Sequence, residues 1–68
     1  MKLSARNQLK GTVISVETGP ISAKVKIDVG GGNTITSTVT AETVEELGLT
    51  DGDAVVVVIK ASDVLIGK

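Results

Sequence analysis

At 68 residues the chain has room for one domain, and a core of that size is marginal without a disulfide, a metal or self-association. It contains no Cys and no His, which excludes disulfides, the best zinc ligands and catalysis built on either residue. Seven basic against eight acidic residues give a net charge of −1, and Phe, Trp and Tyr are all absent, so the features of a nucleic-acid-stacking surface are missing.

Residues Asn7 to Val16 alternate and are rich in β-branched side chains, which predicts a first strand. Gly19-Pro20 punctuates its end. From Ile21 to Val29 the alternation is nearly complete: Ile21, Ala23, Val25, Ile27 and Val29 share one face, while Ser22, Lys24, Lys26 and Asp28 share the other. Gly30-Gly31-Gly32-Asn33 is expected to make the hairpin connection. It lacks the Lys-Ser/Thr of a phosphate-cradling loop and precedes a strand, not a helix. Thr34 to Val39 follows as a third strand, with Ile35 and Val39 inward and Thr34, Thr36, Thr38 and Thr40 on the opposite face.

Ala41 to Leu47 is the one helix candidate, with Thr40 as its cap, Glu42 and Glu45 favouring its N-terminal half, and Gly48 as its stop. Val44 and Leu47 are expected to plug one end of a small barrel. Thr50 to Asp53 reads as a turn; its Asp51-Gly52-Asp53 carboxylates have turn chemistry as their simplest use, ahead of a cation site. The strand from Ala54 to Ala61 is apolar on both faces, with Val56 and Val58 on one and Val55, Val57 and Ile59 on the other. No helical layer exists to cover its second face, so a neighbouring subunit is the simplest cover. Asp63 to Ile66 is expected to form a short last strand.

The apolar fraction, 41%, also exceeds what one small core without aromatic anchors absorbs, since each aromatic would bury roughly 150–250 Å². Three strands, a helix and two strands is the element order of the OB-fold. The expectation is therefore an all-β fold, a five-stranded OB-like Greek-key barrel with one short helix between strands 3 and 4, in one domain spanning 1–68. The longest apolar run, Ala54 to Ile59, is far short of the ~20 residues that span a bilayer, and the opening MKLSARNQ carries no signal-peptide stretch. A soluble, cytoplasmic chain without membrane or nucleic-acid partners is expected.

Two segments exceed structural need. Ser4-Ala5-Arg6-Asn7-Gln8 is dense in hydrogen-bond donors, and Lys60-Ala61-Ser62-Asp63 follows the most hydrophobic strand. A lysine at the end of a buried strand tends to keep a partner, so Arg6 and Lys60 are candidates to share one anion, with Ser4 and Ser62 completing a cage. The competing reading has Lys60 reaching to water and Ser62 turning the chain. The residues alone leave both open.

SARNQLKG near the start and VVVIKASDVLIG near the end resemble the signature segments of the molbindin (Mop) family, and the intervening GPISAKVKIDVGGGNTITSTVTAETVEELGLTDGDAV is similar to that family throughout. The resemblance implies a non-enzymatic cytoplasmic protein that binds molybdate or tungstate, with no organic cofactor and no metal cation held directly by side chains. It implies a homohexamer, a trimer of dimers with anions between subunits, and a storage or buffering role. By the family pattern Ser4, Ala5, Arg6 and Asn7 of one subunit line a site with Lys60, Ala61 and Ser62 of another. A second oxyanion site is assigned to the turn Gly19, Pro20, Ile21 and Ser22. Molybdate is a tetrahedral dianion that accepts hydrogen bonds and donates none, so its site calls for N–H groups, hydroxyls, Arg and Lys. Asp63 departs from that rule and is expected to alternate away from the ligand or to hold a basic side chain. Tungstate matches molybdate in charge and shape.

Overall fold

The computed structural model describes residues 4–68. Four antiparallel strands, β1 (Asn7–Thr18), β2 (Ser22–Gly30), β3 (Asn33–Thr40) and β4 (Ala54–Ile59), form one sheet in the order β3-β2-β1-β4. A single helix, α1 (Ala41–Leu47), joins β3 to β4.

Strand β1 serves two partners. Its first half, Asn7 to Thr12, pairs with β4, and its second half, Thr12 to Thr18, pairs with β2. Thr12 stands opposite both Asp28 and Ala54. The strand bends where the ladder slips between Val13 and Ser15, and the extra residue, Ile14, is turned out to 47% exposure while Val13 is only 1% exposed. The turn after α1 clamps this bend: Val13 N donates to Asp53 O at 2.9 Å and Gly52 N donates to Val13 O at 2.7 Å. Gly11 lets the layers approach there, because a Cβ at that position would lie 2.5 Å from Ile27 Cγ2 and 2.9 Å from Asp28 O.

The β2–β3 hairpin closes on the pair Gly30 and Asn33. Gly31 and Gly32 both have positive φ, +63° and +78°, the backbone of a mirror-image two-residue turn. Helix α1 starts with Thr40 Oγ1 accepting from Thr43 N at 3.0 Å. It ends in a Schellman pattern, with Gly48 N donating to Glu45 O and Leu49 N donating to Val44 O. That stop folds Leu49 back beside Val44, and both pack on the core. Leu47, expected to plug a barrel end, is instead exposed.

Val13, Ala23, Val25 and Ile27 are buried, with Val16, Val29, Val39, Val44, Leu49, Val55 and Val57 packed around them. The alternation of β2 thus sets the core face as its sequence predicts. Ile21 is the exception: it precedes the strand and is 81% exposed.

The mostly-β class with one short helix holds, but the five-stranded closed barrel does not. The sheet is open, with β3 and β4 at its edges. The expected last strand, Asp63 to Ile66, is replaced by a 3₁₀ turn, Ala61–Asp63, and an extended tail. The turn's bonds, Asp63 N to Lys60 O at 2.9 Å and Val64 N to Ala61 O at 3.3 Å, lift the chain off the line of β4. Val64, Leu65 and Ile66 are consecutive apolar residues without alternation, so no single face drives them onto the sheet. Leu65 and Ile66 are more than 90% exposed.

Candidate functional site

The two donor-rich segments meet because of register. Asn7 stands opposite Ile59 at the end of the β1–β4 ladder, so the residues before Asn7 and those after Ile59 leave the sheet side by side. They border one open concavity of about 680 Å³ lined by Ser4, Ala5, Arg6, Val58, Lys60, Ala61, Ser62 and Asp63. Gln8 Nε2 donates to Ala5 O at 3.0 Å and ties down the first segment. The 3₁₀ turn shapes the second.

Six of the seven residues expected at the first site border this concavity, and Asn7 does not; it is occupied by the β1–β4 ladder. The two segments converge within one chain, whereas the resemblance assigns them to different subunits. Two further residues line it: Val58, to which the sequence assigns no site role, and Asp63, which the sequence expects to point away from the ligand or to hold a basic side chain. Val58 faces outward from β4, a placement that only the strand register reveals. Asp63 does not alternate away from the cluster, because the 3₁₀ turn takes the place of the expected strand.

Arg6, Lys60, Ser4 and Ser62 are all exposed. The site therefore offers two basic side chains and two hydroxyls in a solvated bowl, suited to a small anion with several acceptor oxygens. A tetrahedral oxyanion occupies on the order of a few water volumes of ~30 Å³ each. One chain's walls are too wide to enclose it.

A second concavity, about 460 Å³, lies at the other end of β1 and is lined by Glu17, Thr18, Gly19, Ser22, Ala23, Lys24 and Thr38. It includes Gly19 and Ser22 of the expected second site but not Pro20 or Ile21. Lys24 stands opposite Glu17 on one side and Thr38 on the other. This cross-strand row, invisible without the pairing, is what the sequence reading missed. Among the described residues no group of three or more Asp and Glu side chains gathers to hold a cation.

The model of the TOBE domain matches residues 3–66 of the chain. The chain belongs to the TOBE-domain family. Among its relatives in that family, a probable molybdenum-pterin-binding protein of Haemophilus influenzae is 52% identical over 67 residues, which cover 98% of this chain and 97% of the relative. The molybdate-binding protein of Sporomusa ovata superposes with a TM-score of 0.92 at 34% identity, over the whole of both chains. The cytoplasmic molybdate-binding protein ModG, in a structure with molybdate bound, superposes with a TM-score of 0.90 at 52% identity over 96% of this chain and 46% of ModG. The resemblance to the Mop type of this family, read from the segments at the two ends of the chain, is borne out. No helix among the described residues is long and apolar enough to cross a membrane.

Proposed function

We propose that this TOBE-family chain is a binding protein, not an enzyme, that holds molybdate or tungstate in the cytoplasm as a store or buffer. The observation that carries the proposal is the convergence of Arg6 and Lys60, with the Ser4 and Ser62 hydroxyls, on the concavity beyond the Asn7–Ile59 pair. Charge-assisted bonds from such donors are worth about 1.5–3 kcal/mol each, against about 1 for neutral pairs. The names of the relatives above support the choice of anion.

The bowl is completed by a second copy. Its width leaves an anion open to water on one side; Val58 in its lining, Val56 on the same strand and the tail residues Val64, Leu65 and Ile66 after Asp63 are all exposed apolar side chains. Burial of that surface between copies, in a hexamer arranged as a trimer of dimers, places donors from neighbouring chains around each anion and makes assembly and binding support one another. The turn at Gly19 to Ser22, widened to include Thr18, Lys24 and Thr38, is the second anion position in the same assembly.

Titration calorimetry of the assembled protein with sodium molybdate tests the reading. Saturable heat is expected from the wild-type protein, and its absence ends the proposal. A free pterin serves as a second probe, since the Haemophilus influenzae relative is named for molybdenum and pterin together. The chain has no aromatic side chain on which to stack such a ring, so no heat is expected from the pterin alone.

A further inference from the structure

We propose that Asp63 weakens the hold on the anion by setting a negative charge beside the two cations, Arg6 and Lys60, that its own chain brings to the first site. The inference rests on the oxyanion reading above. Asp63 lines the same concavity as Arg6 and Lys60, and its N–H donates to Lys60 O at 2.9 Å, so one short turn carries both residues.

Two of the other aspartates have structural tasks, while Asp51 in the exposed turn before β4 makes no side-chain hydrogen bond and lies outside the concavity. Asp28 Oδ1 accepts from Gly30 N at 2.8 Å in the hairpin, and Asp53 Oδ2 accepts from Thr50 N at 2.9 Å in the turn before β4. The Asp63 carboxylate takes no part in the side-chain hydrogen bonds formed among the described residues. Among the described residues the fold does not use it, yet Asp63 lines the ligand bowl.

Within one chain, two cations, Arg6 and Lys60, stand against one carboxylate, so each chain brings a single net positive charge to a bowl offered to a doubly charged anion. A carboxylate has no proton to donate to molybdate at neutral pH and repels it. In a solvated site that repulsion is screened, which limits it to about three- to tenfold in affinity at low ionic strength. A buffer must release what it binds, and a built-in repulsive charge raises the release rate without removing a donor.

Calorimetry with molybdate on the wild-type, Asp63→Asn and Asp63→Glu proteins, each at low salt and near 1 M salt, tests this. Asp63→Asn is expected to bind about three- to tenfold more tightly at low salt, with the gain fading at high salt, and Asp63→Glu to stay close to the wild type. Equal or weaker binding by Asp63→Asn at low salt, or a gain insensitive to salt, overturns the inference. Failure of the wild-type protein itself to bind molybdate overturns the underlying reading instead, and the two failures are distinguished by that arm.

Discussion

Asn7 and Ile59 face each other at the last rung of the β1–β4 ladder, and this one pairing brings the chain's two donor-rich segments together. Residues 53 positions apart in sequence, Asn7 and the turn at Lys60, become neighbours through six consecutive antiparallel pairs. Slippage of β1 against β4 by one residue would turn Val55 and Val57 outward and separate Arg6 from Lys60. Core packing therefore fixes the site's geometry.

Truncating either cation should weaken binding without unfolding the chain. Arg6→Ala and Lys60→Ala each remove a charge-assisted donor worth about 1.5–3 kcal/mol, roughly ten- to hundredfold in affinity. Both side chains are exposed, so thermal stability in anion-free buffer should stay close to that of the wild type. Calorimetry and a melting curve on the same samples check the two halves of the expectation.

Gly11→Ala should destabilise the fold. The added methyl would meet both Ile27 Cγ2 and the Asp28 carbonyl, and the backbone contact cannot swing aside. Overpacking of this kind costs about 1–3 kcal/mol. For a domain of this size each kcal/mol lowers the melting temperature by about 4–8 °C, which differential scanning calorimetry resolves.

Gly31→Asn should stabilise it. Asn-Gly suits the two positive φ values of the turn and restricts the unfolded chain, a gain of about 0.4–1 kcal/mol. Urea denaturation should show a higher midpoint with an unchanged slope.

Val56→Glu should dissociate the proposed assembly while sparing the subunit. Val56 is 42% exposed on the outer side of β4 and pairs with Lys10, so a glutamate there can face a lysine across the strands. The same charge is costly against an apolar partner surface. Analytical ultracentrifugation should show smaller species with an unaltered far-ultraviolet circular dichroism spectrum.

Much of this fold was legible in the sequence because its signals were local. The period-two pattern of Ala23, Val25 and Ile27 gave the buried face of β2, the glycines gave the hairpin, and Thr40 and Gly48 gave the helix ends. What depended on long-range geometry was not. The bulge that expels Ile14 arises from β1 serving two partners, and the substitution of Leu49 for Leu47 in the core arises from the chain reversal at Gly48. The tail was misread as a strand because Val64, Leu65 and Ile66 have strong apolar character, while the 3₁₀ turn before them rests on two backbone bonds that composition does not announce. At the candidate site, donor chemistry pointed to Arg6, Lys60, Ser4 and Ser62 and the family resemblance added Ala5, Asn7 and Ala61; of the residues that border the concavity, Val58 follows from the strand register and Asp63 from the 3₁₀ turn.

Native mass spectrometry of the wild-type and Arg6→Ala proteins, with and without molybdate, tests the central claim most directly. The expected result is an oligomer that carries discrete molybdate adducts in the wild type and loses most of them in Arg6→Ala at unchanged subunit number. A wild-type spectrum of bare monomers, with no adduct at any molybdate concentration, would contradict it.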